Sequence, residues 1–344
     1  MICDDSHFFL PCDDDESDRL VISHFLIKYA FNGNIISPVI QKLQAKLKTE
    51  GDADDKLKVL DVACGPGIWV LEMATEFPNT EFHGVDLRKM YPTSIKPSNT
   101  FFKRHNFLES LPYSDSTFEF VRMRLMLAFI TESQLLLLLS EIHRVLKPGG
   151  YFELLDSEYL IHKPGPTSEE ILNKNLKNVL HEKGIDLVAS HHLSTMLMTR
   201  PANQGFIDVH QHRIAIPIGW GGKLGDIHAQ NLSLFLKSLH PAIREYICPG
   251  HQIEAIDALI DNAIRECQTY RSHMNWFVCY GQKPAASTTL QVTPQSSFAK
   301  NFASSPVITR ASSVEGLNEI LKNYGPLKAN DWECIDDFID GYVD

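Results

Sequence analysis

The sequence predicts an α/β fold, a doubly wound and mostly parallel sheet, and three observations predict it. Short apolar runs alternate with segments of helical periodicity between residues 56 and 158. A glycine-rich turn, "DVACGPGIW" from Asp61 to Trp69, stands between the first apolar run and a helical pattern. A carboxylate, Asp86, closes the next run, 19 residues after Gly67. That is where such a sheet carries the group that accepts a pair of ribose hydroxyls.

The elements follow in order. "ESDRLVISHFLIKYAF" at 16–31 carries Leu20, Val21, His24, Phe25 and Lys28 at helical spacing, and "NGN" at 32–34 ends it. A second helix is expected over 36–48, then a polar linker, "TEGDADD". "KLKVLDVA" reads as a buried strand, and a helix over 67–77 stops before Pro78. Further strands are expected at 80–87, 100–106, 116–124 and 151–158. Between the last two, "ESQLLLLLSEIHRVL" at 132–146 is a helix, with "KPGG" expected to supply a left-handed glycine cap. Beyond residue 160, helices are expected at 168–181, 187–199, 228–239 and 251–271, with a long strand or hairpin at 205–219 and a closing strand at 275–284. The organisation is therefore an acidic, mobile lead-in over 1–15, a folded domain over 16–284, and a segment over 285–344. That last segment opens as a Ser/Thr/Pro/Ala-rich disordered linker to 313 and ends acidic and aromatic.

Composition narrows the function classes. At 44% hydrophobic and 22% charged residues, the chain can bury a sizeable core. A formal charge of −11 argues against a nucleic-acid or anionic-membrane surface, both of which need clustered cations. The seven cysteines contain no C-x-x-C pair, which argues against a disulfide framework or a zinc site and for a reducing compartment, cytoplasmic or nuclear. The N-terminus lacks a basic stretch followed by an apolar core, so no secretory leader is expected. The run "LLLLL" at 135–139, closely flanked by Glu132, Glu141 and Arg144, is too short to span a bilayer and reads as a buried amphipathic helix.

The glycine turn decides between ligands. A dinucleotide fingerprint G-x-G-x-x-G fails, because Val70 stands where the third glycine would follow Gly65. Asp61 precedes the turn and would repel a pyrophosphate, whereas it suits a cationic amino group. The turn fits D-x-x-C-G-x-G, a form of the acidic-x-G-x-G-x-G motif of class I S-adenosylmethionine methyltransferases. Three further stretches support this likeness: Asp86 at the end of strand two; "HNFLESLPYSDSTFEFV" at 105–121; and "RVLKPGGYFELLD" at 144–156. "GIWVLEMATEFPN", "GVDL", the opening "ESDRL" and the late "WGGKLGD" resemble the fungal LaeA-like and UMTA-like methyltransferases over about residues 16–284.

The resemblance implies a seven-stranded sheet with strand seven antiparallel between strands five and six, here with N-terminal helices and a helical insertion shaping an acceptor pocket. It implies S-adenosylmethionine as cofactor, held by Asp61, Ala63, Cys64, Gly65, Gly67, Asp86, Leu87, Asn106, Phe107 and Met123. Asn106 would meet the adenine amino group in place of an aspartate, and Ala63 replaces the first glycine. No resident metal is expected. The acceptor is expected to be a small molecule. The alternative is a LaeA-like regulator that keeps the fold and acts through a protein partner, engaged by the acidic tail, with little turnover.

Other residues read two ways. Asp61 is a ligand group or a loop-bracing acceptor. Asp156 and Glu158, at alternate positions after strand five, are candidate general bases or carboxylates capping the next segment. His24 reads as core-packed rather than catalytic. The pairs His191/His192 and His210/His212 lack ligand-spaced partners for a metal. Cys64 reads as a small loop residue and Trp69 as packing. Arg122 and Arg124 face substrate or a local ion pair.

Overall fold

The computed structural model describes residues 9–47, 56–199 and 204–285, and the expected tail at 285–344 lies outside them but for its first residue. Seven strands form one sheet in the order β3-β2-β1-β4-β5-β7-β6. They are β1 (Leu57–Val62), β2 (Thr80–Asp86), β3 (Thr100–Arg104), β4 (Phe118–Arg124), β5 (Leu146–His162), β6 (Ile207–Pro217) and β7 (His273–Gln282). Neighbours from β3 to β5 are parallel, and β7 runs antiparallel to both β5 and β6. The central strands are buried on both faces, which is why β1 reads as a continuous apolar run rather than an alternation. The strand order reverses between β1 and β4, so the loop leaving β1 opens at a topological switch point, where ligands bind in such sheets.

Helices α1 (Asp14–Ala30) and α2 (Val39–Leu47) precede the sheet, and α3 (Ile68–Glu76) and α4 (Glu132–Val145) connect parallel strands. In α4, Leu135, Leu138 and Leu139 are buried while Leu137 is 65% exposed, the helical period of an amphipathic element. Its N-terminus is closed by a reciprocal capping box between Thr131 and Gln134. Among the described residues no helix is long and apolar enough to cross a membrane. After β5 come α5 (Pro166–Ser168), a π-helical turn Glu169–Leu176, α6 (Lys177–Glu182), a 3-10 turn Ala189–His192 and α7 (Leu193–Met198). Helices α8 (Lys223–Ser238), α9 (Pro241–Ile247) and α10 (Ile253–Thr269) fill the gap between β6 and β7, so β6 divides the helical insertion in two.

Several details differ from expectation. The expected lead-in at 1–15 is not free throughout. Asp13 caps α1 by accepting the Glu16 N–H, and Phe9 and Leu10 are buried, with Phe9 stacked on Phe129 at 4.7 Å. The end of α4 is not a glycine cap either, because Leu146 is already extended (φ −70, ψ 137). The ammonium of Lys283 instead donates to the carbonyls of His143 and Leu146, satisfying the helix's last acceptors with a cation. Gly149 takes its positive φ of 76° near the start of β5, where the pairing with β4 is irregular. Helix α9 was not expected, although Pro241 at its first turn and the capping His240 are readable signals.

Candidate functional site

The loop leaving β1 is wound by three left-handed residues, Ala63 (φ 58), Gly65 (φ 55) and Gly67 (φ 78). Gly65 N–H donates to Asp86 Oδ2 at 2.8 Å, and Arg88 N–H donates to Asp86 Oδ1 at 2.8 Å. The carboxylate at the end of β2 therefore braces the loop while its remaining lone pairs face the cleft. The two glycines serve different ends. A Cβ on Gly67 would lie 2.7 Å from the Phe102 ring, itself stacked on Tyr91 at 4.7 Å, so this position is closed by packing. A Cβ on Gly65 would find only Leu20, at 3.5 Å, and it would stand in the cleft.

That cleft is one cavity of about 990 Å³ with its open mouth included. Ala63, Cys64, Gly65 and Asp86 line one end. The far end is lined by Ser157 and Tyr159 of β5, by Met274 and Trp276 of β7, and by α8. Two helices cover it with the same spacing: α1 presents Glu16, Arg19, Leu20 and Ser23, and α8 presents His228, Asn231, Leu232 and Phe235. Asn231 Nδ2 donates to the Arg19 carbonyl at 3.0 Å and joins the two covers. Glu16 and Arg19 form a buried two-point ion pair, Oε2 to Nε at 2.7 Å and Oε1 to Nη2 at 2.6 Å. Leu10 adds a strap across the loop end, where the Arg88 guanidinium takes the carbonyls of Leu10 and Pro11. Leu125 (φ 57) and Tyr159 (φ 45) join Ala63 as non-glycine residues held left-handed in this one cavity wall.

His228 lies at the far end with both ring nitrogens engaged. Nδ1 is 2.9 Å from the Pro217 carbonyl and Nε2 accepts the Trp276 indole N–H at 3.3 Å. Burial lowers its pKa to about 4, so the ring is neutral near pH 7. Tyr159 has its hydroxyl pushed far up by burial and by the charge of Asp156.

The residues expected from the sequence are distributed as follows. Ala63, Cys64, Gly65 and Asp86 share the cavity wall, and burial pushes the Cys64 thiol well up, so it is unreactive. Asp61 is buried behind the wall, the cations acting on it most strongly being Arg122 and then Arg124, and its Oδ1 has no hydrogen-bond partner. Burial raises its pKa against the pull of those arginines. Gly67 stands behind the loop, as described. Leu87, Asn106, Phe107 and Met123 are outside the cavity wall. Phe107 and Met123 are core residues, Leu87 is half-buried against the core, and Asn106 accepts the Leu108 N–H at 3.1 Å as a turn residue.

The expected general bases are corrected by their surroundings. Asp156 is fully buried and accepts the N–H groups of Met126, Leu127 and Ser157. Burial outweighs these donors and raises its pKa to about 7. It braces the turn after β4 rather than facing a ligand. Glu158 is fully buried, paired with His162 and, at 2.6 Å, with His191, and it accepts the Asn275 N–H. The alternation within β5 turns Ser157 and Tyr159 to the cavity and the two carboxylates away from it.

His24 is core-packed, 2.6 Å from Glu72, with its pKa lowered to about 4 by burial. Trp69 has two partners the sequence did not suggest: its indole N–H donates to the Asn34 carbonyl at 3.0 Å, and the Arg122 guanidinium lies 4.3 Å from its ring centroid. The cavity residues missed on α1 and α8 carry a misleading signal: the polar pairs Glu16/Arg19 and His228/Asn231, at i and i+3, read as a solvated stripe although they are buried.

The cavity fits S-adenosylmethionine on two counts: the bare loop backbone at Gly65 and the acceptor carboxylate of Asp86. A family model described as a methyltransferase domain matches residues 59–150. Among curated relatives, the secondary metabolism regulator laeA of Coprinopsis cinerea is 28% identical over 276 residues, covering 75% of this chain and 65% of the relative. The protein-methionine methyltransferase laeA of Emericella nidulans is 26% identical over 152 residues, covering 44% of this chain and 37% of the relative. The methyltransferase str2 of Strobilurus tenacellus is 22% identical, covering 61% and 71%. The chain thus spans less than two thirds of the length of both laeA relatives. Among solved structures, phosphoethanolamine N-methyltransferase 2 of Haemonchus contortus, in complex with S-adenosyl-L-methionine, is 20% identical at a TM-score of 0.43, covering 77% of this chain and 57% of that one. Residues 59–150 thus match a methyltransferase domain, a class whose cofactor is S-adenosylmethionine.

Proposed function

We propose that this protein transfers a methyl group from S-adenosylmethionine to a small, mainly apolar acceptor. One observation carries the reading: a single cavity joins the glycine loop and Asp86 to a chamber walled by Tyr159, Phe235, Met274 and Trp276. The bound cofactor supplies an activated methyl group on a sulfonium, so the protein's task is alignment and exclusion of water. In this reading Asp86 receives the ribose hydroxyls and the loop backbone at Gly65 lies against the cofactor. The α1 and α8 faces close over the acceptor and exclude water. The hydroxyls of Ser157 and Tyr159 orient its nucleophile. His228, neutral and engaged at both nitrogens, fixes the Trp276 ring rather than taking a proton.

The covering helices favour a small acceptor over a protein side chain, although one relative is named for methionine methylation in protein. The cysteine spacing supports a reducing compartment, cytoplasm or nucleus. The test is incubation with labelled S-adenosylmethionine and a size-fractionated fungal extract. Label should enter the small-molecule fraction, accompanied by S-adenosylhomocysteine, and Asp86→Ala should abolish both. Label confined to the protein fraction would overturn the acceptor class. Cofactor binding without turnover in any fraction would favour the second reading, a regulator acting through a partner, which the names of the laeA relatives motivate.

A further inference from the structure

The cavity wall departs from a plain strand at Tyr159. The pairing of β5 with β7 is interrupted between Ser157 and Ile161, and Tyr159 in that interval is held left-handed at φ 45. An aromatic residue rarely takes that conformation, and an interrupted strand is a common way to re-aim one side chain. The Tyr159 ring lies in the cavity wall, 5.8 Å from the ring of Phe235 on α8. Its hydroxyl accepts from the Ser157 hydroxyl and donates to Asp156. Asp156 is fully buried and also accepts three backbone N–H groups, so Tyr159 is what connects this carboxylate to the cavity. The charges acting on Tyr159 are Asp156 and, from α1, Arg19. Burial keeps the phenol neutral, so its oxygen can receive one proton while giving up another. A buried carboxylate behind a phenol that faces a ligand chamber is a proton path with an acceptor at its end.

The charges of the wall select which acceptor can use that path. Arg19, Arg88 and Arg124 stand against Glu16 and Asp86, and His228 is neutral near pH 7. The sulfonium of the bound cofactor adds a further positive charge, so an ammonium acceptor would be repelled. A neutral hydroxyl is not repelled, and it must lose a proton when it is methylated. A phenol has the ordinary acidity of the tyrosine hydroxyl, a pKa of about 10, so passing a proton from one to the other is nearly balanced. A flat ring also suits the aromatic wall of Phe235 and Trp276.

We propose that the acceptor is a phenol, methylated on oxygen, and that Tyr159 relays its proton to Asp156. The proposal rests on the methyl-transfer reading above. The acceptor O–H bond breaks as its oxygen bonds the methyl carbon, and the sulfonium–methyl bond breaks with its electron pair left on sulfur. The acceptor proton goes to Tyr159 Oη while the proton of Tyr159 goes to Asp156. The products are an aryl methyl ether, a neutral sulfide and a protonated Asp156. The test has two arms on the full chain. The first needs no turnover: infrared titration of the Asp156 carboxyl in the free protein, its band identified by loss in Asp156→Asn. The midpoint should rise in Tyr159→Phe, because a donor to the charged form is gone. An unchanged midpoint would overturn the relay. If Asp156→Asn does not fold, the difference between wild type and Tyr159→Phe carries the same band. The second arm supplies S-adenosylmethionine with a heavy-carbon methyl group to the small-molecule fraction of a fungal extract. The label should appear by NMR in an aryl methoxy group that survives alkali. Tyr159→Phe should lower the maximal rate by about 100-fold. The dilution of the fraction giving half that rate, and S-adenosylhomocysteine affinity, should stay within about twofold. The wild-type rate should rise with pH through about 7, as Asp156 ionises, and the variant should lose that rise. Label on nitrogen, sulfur or carbon would overturn the proposal, as would a variant rate within about threefold of wild type. Loss of S-adenosylhomocysteine binding in Tyr159→Phe would overturn it too, marking a structural role. No transfer by wild type is a different failure, that of the methyl-transfer reading itself, and the infrared arm still decides the link between Tyr159 and Asp156.

Discussion

The two ends of the cavity are built by different means. The loop end comes from one short stretch and the end of the next strand, with backbone N–H groups of Gly65 and Arg88 fixed on a single carboxylate. The chamber end comes from side chains spread over the chain, from Glu16 on α1 to Trp276 on β7, brought together only by the finished sheet. The loop end is therefore constrained locally and tolerates little change. The chamber end is constrained by packing and can be re-shaped without disturbing the loop.

The largest expected effect separates the two glycines of the loop. Gly67→Val combines left-handed backbone strain with a clash 2.7 Å from Phe102. It should lose about 2–5 kcal/mol in denaturant unfolding. Gly65→Ala, with open space beside it, should lose only about 1–2 kcal/mol yet impair cofactor binding. Equal destabilisation by the two would break the distinction between packing and cradle.

Next is the pH dependence of the chamber end. His228 has its folded pKa lowered from 6.5 to about 4, so the unfolded chain binds its proton first. Its contribution to stability is present above pH 6.5 and is lost as pH falls towards 4, by up to about 3 kcal/mol. His24, also lowered to about 4, adds in the same direction. Asp156, raised to about 7, works oppositely: its contribution is present below its unfolded pKa of 3.8 and fades as pH rises through 7. The readout is therefore the difference between wild type and His228→Asn in melting temperature from pH 7 to pH 4, which should shrink as the pH drops. A constant difference would remove the buried-imidazole account.

Asp86→Ala should weaken S-adenosylhomocysteine binding by about 10- to 100-fold, since it removes a charged acceptor worth about 1.5–3 kcal/mol. Calorimetry checks it, and an effect below threefold would show that the loop end does not hold the ligand. The smallest effect is at the other end. Trp276→Phe removes the indole donor to His228 and should cost about 1 kcal/mol of stability. It should change the acceptor KM while leaving S-adenosylhomocysteine affinity within about twofold, unless the two ends are less separable than their construction implies.

The same contrast explains what was legible in the sequence. The parallel strands, the switch-point loop and the place of Asp86 at the end of β2 follow from local pattern, because parallel strands and tight turns impose residue types at fixed spacing; the strand order came with the family resemblance. The cap of α4 was misread because its acceptors are satisfied by Lys283, far along the chain. Asp156 and Glu158 were placed on one face correctly by alternation, but alternation does not say which face meets the ligand. That depends on where α1 and α8 lie. Both helices hide their role, since the faces they bury carry Glu16, Arg19, His228 and Asn231, which resemble a solvated stripe until their partners are known. Trp69 was legible only as packing, because Asn34 and Arg122 reach it from separate elements.

The account's central claim is that one cavity takes cofactor at the loop end and acceptor at the chamber end. A crystal structure of the full chain with S-adenosylhomocysteine tests it most directly. The account predicts the ribose against Asp86, the nucleoside over Gly65, and the sulfur turned towards the chamber of Tyr159 and Trp276. Density for the ligand elsewhere, or with its sulfur closed off from that chamber, would contradict it.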